Sequence, residues 1–426
     1  MNERTPLISD DGARLHKAMD IKIIVIVAVV AATLVILSIA IAVPIALKNN
    51  EAELSSMEKA RQWMKETPLI DGHNDLPWQF KTEVNNEISK VDLNEKPTWN
   101  PTHTDIPRLR EGLVGAQFWS AYTSCGSQYK DSIRHVLDQI DVVKRMCDMY
   151  PETFEFVTSS QGIREAFENG KIASLIGVEG GHNFQSSLAG LRMLYELGTR
   201  YITVTHSCNT PWATNYKEDQ TEDPAPFKGL TPFGERVIKE MNRLGMLVDL
   251  AHVSKDTMLD VLNLDDQPPV IFSHSSAFAV CDSYRNVQDD VLLKVKENGG
   301  VVMVNFYPGY VNCSRSASLA QVAQHINYIK DKCGVECVGL GADYDGVPTV
   351  PEGLEDVSKY PDLIAYLIDG GWGESDVKAL LGNNLLRAFE GVEKYSADHK
   401  NVIPDETTIS TDDIPDMTCR TTVYNP

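Results

Sequence analysis

Eight short apolar runs recur along this chain, and each is followed by small or polar residues and then by an amphipathic segment. They begin near Pro68 (PLIDG), Leu113 (LVGAQFW), Ile172 (IASLIGVEGG), Tyr201 (YITVTHS), Met246 (MLVDLAHVS), Pro269 (PVIFSHSS), Val301 (VVMVNFY) and Cys337 (CVGLGADYDG). Runs of this kind, without polar alternation, are typical of parallel strands buried on both faces. Eight of them alternating with helices predict a (β/α)₈ barrel of the TIM type. An open doubly wound sheet is the alternative, although no G-x-G-x-x-G follows the first strand.

An apolar segment near the N-terminus predicts a membrane span. Ile23 to Leu47 is 25 residues long without a charged side chain and is bounded by Lys22 and Lys48. About 20 apolar residues cross a bilayer core as a helix, whereas the apolar part of a cleaved signal peptide has roughly 7–15. A buried core helix, the alternative, is rarely apolar on every face. We therefore predict an uncleaved signal anchor, with the lipid bilayer as a partner.

Positive charges before the span favour a cytoplasmic N-terminus, which makes the protein single-pass type II with its main domain extracellular or luminal. The tail also contains Glu3-Arg4-Thr5-Pro6-Leu7-Ile8, which resembles an acidic dileucine signal for endolysosomal routing. The predicted organisation is a cytoplasmic tail (1–22), the span (23–47), a stalk (48–65), the barrel (66–395) and a C-terminal tail (396–426).

The net charge is −21, from 39 Lys and Arg against 60 Asp and Glu, and this argues against a nucleic-acid partner. The eight cysteines form no paired C-x-x-C units, which argues against a structural zinc site. In an oxidising compartment disulfides are the default expectation, but the residues alone do not give their pairing. Asn312-Cys313-Ser314 is an N-glycosylation acceptor.

Metal-ligating residue types stand at the ends of four predicted strands. They are His73 and Asp75 after the first, Glu179 after the third, His252 after the fifth and His274 after the sixth. Each one alone is explained as well or better by a surface contact, a cap, an ion pair or a core histidine. Considered together, we expect these five side chains to lie at one face of the barrel, because the carboxyl ends of the strands form the face at which barrel enzymes carry their chemistry. Five donors suit two ions if Glu179 bridges them, and three imidazoles favour zinc over magnesium.

Three further residues are predicted at the same level of the barrel. His206 closes the fourth strand, Arg285 follows the sixth, and Asp343 closes the eighth. Arg285 could bind a carboxylate bidentately, with a surface ion pair as the alternative. Asp343 could shuttle protons, and Asp345 competes with it for that role.

Six motifs resemble the membrane dipeptidase family, also called renal dipeptidase. They are DGHNDLPW from Asp71, GVEGGH from Gly177, THSCN from Thr205, AHVS from Ala251, FSHSSA from Phe272 and DYDGV from Asp343. The match runs from about Ala60 to about Tyr395. It implies a zinc-dependent dipeptidase on a (β/α)₈ barrel related to the amidohydrolases.

The resemblance also implies a role for each site residue, with a hydroxide between two zinc ions attacking the peptide bond. By this resemblance His73 and Asp75 bind one zinc, His252 and His274 bind the other, and Glu179 bridges the two ions. His206 binds the substrate and the oxyanion. Arg285 holds the substrate carboxylate, and Asp343 moves the proton. Glu179, His206 and Asp343 form the catalytic group.

Family substrates are dipeptides, including cysteinylglycine-type products, leukotriene D4 and certain β-lactams. The resemblance further implies disulfides Cys125–Cys208 and Cys281–Cys313, and a homodimer with Cys419 as a candidate interchain link. It leaves Cys147, Cys333 and Cys337 without assignment. The alternative functions are an inactive barrel that acts as a surface receptor or binding protein, and another amidohydrolase-type activity on lactams or lactones.

Overall fold

The computed structural model describes residues 11–48, 54–100 and 102–421. The sorting motif predicted at Glu3 to Ile8 lies outside the described residues. The chain divides into two units, Met1–Ser55 and Ser56–Pro426.

The first unit contains helix α1, Asp11–Lys48, which includes the predicted span and begins before it. Its stretch Lys17–Ile41 has a mean hydropathy of 3.2 over its most apolar window. By length and composition it could cross a membrane, and it is the one such helix among the described residues.

The second unit is a closed barrel of parallel strands. The strands are β1 (Leu69–Asn74), β2 (Val114–Tyr122), β3 (Phe154–Phe156), β4 (Ile172–Glu179), β5 (Thr199–Thr203), β6 (Leu247–Asp249), β7 (Ile271–Phe272), β8 (Val301–Val304) and β9 (Val338–Leu340). Their order is β2-β1-β9-β8-β7-β6-β5-β4, and pairing of β2 with β4 closes the ring. The predicted (β/α)₈ barrel is therefore confirmed, and the open sheet was wrong.

One strand has no counterpart among the eight predicted runs. β3 has three residues and pairs with the start of β4 on the edge opposite β2, so it is a ninth strand that is not needed to close the ring. A run this short carries no detectable periodicity, which is why the sequence did not indicate it.

Helices surround the barrel and bury apolar faces against it. They are α2 (Ser56–Glu66), α3 (Leu76–Val84), α4 (Ile106–Glu111), α5 (Ser132–Met149), α6 (Ser160–Glu168), α7 (Leu188–Glu196), α8 (Pro232–Leu244), α9 (Lys255–Leu262), α10 (Asp289–Asn298), α11 (Pro308–Val311), α12 (Leu319–Cys333), α13 (Tyr360–Asp369), α14 (Glu374–Lys378) and α15 (Asn384–Asp398). A π-turn, Ala379–Asn383, separates α14 from α15.

The segments on either side of the barrel contact it, while their predicted bounds as stalk and tail stay predictions. From Ser56 onward the predicted stalk is helix α2, which buries Ala60 and Met64 and packs against α13. The C-terminal tail is attached to the barrel as well, since Arg420 donates to the Gln185 carbonyl at 2.9 Å. Apolar side chains on one face of α2 explain why this segment packs on the barrel although its composition is charged.

Three disulfides are present. Cys125–Cys208 and Cys281–Cys313 are the two pairs implied by the resemblance. Cys333–Cys337 is a third that was not predicted. Cys147 is buried and free, and Cys419 is exposed and free.

Candidate active site

The predicted ligands converge at the carboxyl ends of the strands. His73 lies near the end of β1, Asp75 is the N-cap of α3, and Glu179 is the last residue of β4. His252 lies three residues past β6, and His274 lies two residues past β7. Each ligand leaves its strand where the backbone turns outward, which is where barrel enzymes place reacting groups.

Glu179 is at the centre of the cluster. Its Oε1 lies 3.1 Å from His252 Nε2, 3.4 Å from His274 Nε2 and 3.6 Å from His73 Nε2. His206 Nε2 lies 3.8 Å from the same oxygen. One carboxylate oxygen therefore faces four imidazoles that come from four different strand ends.

Three overlapping sets of donors are spaced to hold a metal ion, with all ligand atoms of a set within 4.8 Å of one another. The sets are His73, Glu179 and His274; Glu179, His206 and His252; and His73, Asp75 and Asp343. The first two share Glu179, as expected of a bridging ligand. They do not reproduce the predicted division of ligands between two ions, which stays a prediction.

Buried polar atoms at the site fit a bound cation. His73 Nε2 and Asp75 Oδ1 are buried and have no hydrogen-bond partner among the described residues. Burial raises the pKa of Glu179 to about 8 and that of Asp343 to about 7. A divalent cation would offset the desolvation of these carboxylates and supply partners for the orphaned atoms.

The imidazoles respond to burial in two ways. Burial lowers the pKa of His252 and of His274 well below the ordinary value, so both are neutral, the form that ligates metals. Burial also opposes protonation of His73, but the Asp75 and Glu179 carboxylates outweigh it and raise the pKa of His73 to about 10. A metal would have to displace the proton on His73.

A cavity of about 360 Å³ opens above the cluster, within the range of small-molecule sites. Its lining residues are Asp75, Trp78, Tyr122, Glu179, His206, Ser207, His252, Arg285, Tyr307, Tyr310, Asp343, Gly346, Val347 and Pro348. All eight predicted residues thus belong to one site, because His73 and His274 lie directly beneath it.

Arg285 is the cation of the cavity. Its side chain is 1% exposed, and its Nη atoms donate to Ser275 Oγ at 3.3 Å and to the His274 carbonyl at 3.2 Å. The guanidinium lies 5.1 Å from the ring centroid of Tyr310, and its Nε has no partner among the described residues. An anionic ligand group would satisfy these donors.

The structure separates the two aspartates that compete for the proton-shuttle role. Asp343 lines the cavity, and its Oδ2 accepts a hydrogen bond from Asn305 Nδ2 at 3.1 Å. Asp345 points elsewhere, since its Oδ1 accepts from the backbone N–H of His103 at 2.9 Å. Geometry therefore favours Asp343.

Gly346 borders both carboxylates. A Cβ at this position would lie 2.1 Å from Asp75 Oδ2 and 2.5 Å from Asp343 Oδ1. Only glycine leaves space for both oxygens in these positions.

Sequence reasoning missed the residues that support the ligands. Ser273 Oγ donates a hydrogen bond to Asp249 Oδ2 at 2.6 Å, and Ser273 Oγ also lies 2.8 Å from His274 Nδ1. Asp71 accepts from the His73 backbone N–H at 3.0 Å. Both aspartates are fully buried in strands, where an acidic residue within an apolar run was the available signal.

Comparison with known proteins agrees with this geometry. The family described as "Membrane dipeptidase (Peptidase family M19)" matches residues 57–402. Dipeptidase 3 of Mus musculus is 47% identical over 337 residues, which cover 79% of this chain and 67% of that protein. Dipeptidase 3 of Homo sapiens is 45% identical over 348 residues, covering 82% and 70%.

A solved structure of a dipeptidase, described as a metallopeptidase of family M19, superposes with a TM-score of 0.69. It is 26% identical and covers 76% of this chain and 98% of its own. The family match covers most of the chain, and it includes every ligand described above. This chain therefore belongs to the membrane dipeptidase family, peptidase family M19, and is a metallo-dipeptidase.

Proposed function

We propose that this enzyme hydrolyses dipeptides that carry a free C-terminal carboxylate, using two zinc ions. The observation that carries the proposal is the position of Glu179 Oε1, within 3.8 Å of four imidazole nitrogens. Three imidazoles and two carboxylates, the predicted ligand set, are donors that zinc prefers. Zinc, when bound, would activate water and polarise the peptide carbonyl.

We assign two of the other ligands to each ion, with Glu179 between the two pairs. His73 and Asp75 would hold one ion, since their Nε2 and Oδ2 atoms lie 3.2 Å apart. His252 and His274 would hold the other, since their Nε2 atoms lie 3.0 Å apart. Glu179 reaches both pairs and would belong to both ions.

Arg285 would bind and orient the substrate. Its side chain is fixed by two hydrogen bonds and by the Tyr310 ring, so its remaining donors are preorganised for the substrate carboxylate. The small cavity and this buried cation together favour dipeptides over longer peptides. The same reasoning leaves cysteinylglycine, leukotriene D4 and β-lactams, all of which carry a carboxylate, as candidate substrates.

Two residues would act on the reacting amide. His206 lines the cavity beside Glu179, where its imidazole would donate a hydrogen bond to the developing oxyanion. Asp343 is held by Asn305 through one oxygen, which leaves the other to accept a proton and deliver it to the leaving amine.

The rest of the chain supports a proposal for the location and assembly of the enzyme. We place helix α1 across a membrane as a type II anchor, with the barrel outside the cell or in a lumen, including the endolysosomal lumen. The disulfides and the exposed acceptor Asn312 suit such a compartment. The exposed thiol of Cys419 is available to link two chains into a homodimer.

Metal analysis combined with a Glu179→Gln variant tests the proposal. The purified wild type should hold two zinc ions per chain and cleave dipeptides. Glu179→Gln keeps the side-chain shape but removes the shared charge, so it should hold less zinc and lose at least about 10³-fold in kcat/KM. Glu165→Gln, the same change on the exposed face of α6, is the matched control. Full activity in metal-free protein would refute the zinc mechanism, and faster turnover of lactones or lactams than of dipeptides would redirect the substrate assignment.

A further inference from the structure

We infer that the Tyr201 hydroxyl is a positioning group that fixes His73 as an Nε2 metal ligand. This inference rests on the proposed zinc centre and identifies a residue in β5 that is not among the residues lining the cavity. Tyr201 is completely buried, and its strand β5 is separated from β1 by β2 and β4 in the ring.

The hydrogen bonds around the hydroxyl determine where its proton goes. Tyr201 Oη donates to the Gly72 carbonyl at 3.0 Å, and it lies 2.9 Å from His73 Nδ1. A phenol has one proton, so with that proton on the carbonyl the oxygen accepts from Nδ1–H. The proton on Nδ1 leaves the Nε2 lone pair free to bind a metal.

Nε2 of His73 points at the ligand cluster. It lies 3.2 Å from Asp75 Oδ2 and 3.6 Å from Glu179 Oε1, and it has no hydrogen-bond partner among the described residues. The opposite tautomer would place a proton on Nε2 and block the metal. Partners that hold the second nitrogen of a metal-bound imidazole typically contribute 10- to 100-fold in metal affinity.

The barrel makes room for this tyrosine at one position. A Cβ on residue 177 would lie 1.9 Å from Cζ of Tyr201, so glycine is required there for the ring to reach β1. The ring also packs against Phe118, with centroids 5.0 Å apart. These contacts fix the ring independently of the hydroxyl, so Tyr201→Phe removes the hydrogen bonds and preserves the packing.

The test uses the full-length protein in detergent, stripped of metal and titrated with zinc against a chromophoric chelator. In Tyr201→Phe, one of the two zinc ions should bind 10- to 100-fold more weakly, and the other should bind as in the wild type. Saturating zinc should restore most of the kcat, which loss of fold would not allow. Tyr150→Phe is the matched control, because its hydroxyl also joins two groups, the backbone N–H of Leu93 and the carbonyl of Val91, and it is not among the residues lining the cavity.

A second measurement depends on the wild type alone. With ¹⁵N-labelled histidine and zinc bound, the His73 signals, assigned through His73→Asn, should show a protonated Nδ1 and a zinc-bound Nε2. Zinc on Nδ1, or unchanged affinity for both ions in Tyr201→Phe, overturns the inference and leaves the proposed function intact. A wild type that binds no zinc overturns both.

Discussion

Replacing Gly346 by alanine should damage the metal site while leaving the fold intact. The added Cβ would lie 2.1 Å from Asp75 Oδ2, and real Cβ contacts essentially never fall below 3.0 Å, so this oxygen must retreat by at least 0.9 Å. Gly346 is not in the left-handed region, so alanine adds no backbone strain. The clash involves the ends of two side chains, Asp75 and Asp343, which can move without disturbing the core.

A metal ligand tolerates much less movement than that. Ligand distances in working sites hold to about 0.2 Å, and a 1 Å misplacement of a reacting group costs about 10²-fold in rate. We therefore expect Gly346→Ala to lose about 10²-fold in kcat/KM, equivalent to about 2.7 kcal/mol, with weaker zinc binding.

Steady-state kinetics, zinc titration and thermal unfolding of the metal-free protein together check this expectation. Gly373→Ala is the matched control, since nothing lies within 4 Å of its added Cβ and its φ of −82° suits alanine. Wild-type zinc affinity and kcat/KM in Gly346→Ala would show that Asp75 is not held as a metal ligand.

Three further outcomes are expected. Arg285→Lys keeps the charge but loses the guanidinium fork, so kcat/KM should fall about 10- to 100-fold, mostly through KM; a dipeptide amide, which lacks the carboxylate, should lose little. In metal-stripped protein, the pKa of about 10 keeps the proton on folded His73 after unfolded histidine has lost its own near pH 6.5. The free energy of unfolding that this proton contributes is fully present below pH 6.5 and is lost as the pH rises through 10. The melting temperature of metal-stripped protein should therefore be lower at pH 9.5 than at pH 7. Zinc-loaded protein should not show this decline. Removing the Cys125–Cys208 disulfide, whose Sγ lies 3.7 Å from His206 Nδ1, should lower kcat in folded protein, while removing Cys281–Cys313 should affect stability more than kcat.

The convergence of the candidate ligands could be predicted because each one stands at the end of a recognisable apolar run. His73, Glu179 and His274 stand at the ends of apolar runs, and a closed parallel barrel brings all such ends to one face. The position of each residue in the sequence, directly after an apolar run, therefore places it at the carboxyl end of a barrel strand. That logic extends to Asp343 but does not separate it from Asp345, because two residues past a strand the direction of a side chain depends on the local backbone.

Contacts made across the barrel could not be predicted in this way. Tyr201 contacts His73 over a sequence separation of 128 residues, and nothing in the sequence around either residue indicates this contact. The Cys333–Cys337 disulfide depends on how α12 turns into β9, which the spacing of the two cysteines does not determine. Helix α2 buries two apolar side chains in a largely charged segment, so the composition of the segment did not indicate that it packs on the barrel.

Asp71 and Asp249 each accept hydrogen bonds from backbone N–H groups at the end of a barrel strand. Each carboxylate accepts one backbone N–H from two residues further along its own chain and one from the neighbouring strand end. The accepted bonds are, for Asp71, His73 N at 3.0 Å and Ala342 N at 3.1 Å, and, for Asp249, Ala251 N at 3.0 Å and Ser273 N at 2.8 Å.

These carboxylates act where the strand pairing becomes irregular or ends, since the β1–β2 register shifts between Asp71 and Asn74 and Asp249 is the last residue of β6. Two of the four N–H groups precede residues with left-handed backbone, because Ala251 is followed by His252 (φ 66°) and Ala342 by Asp343 (φ 67°). Backbone N–H groups at such turns would be buried without partners, at a cost of about 1–3 kcal/mol each. Burial raises the pKa of Asp71 to about 6, but several N–H and O–H donors keep the carboxylate in place. An aspartate inside an apolar run, two or three residues before a histidine, is therefore a sequence signal for a strand end that carries a candidate metal ligand.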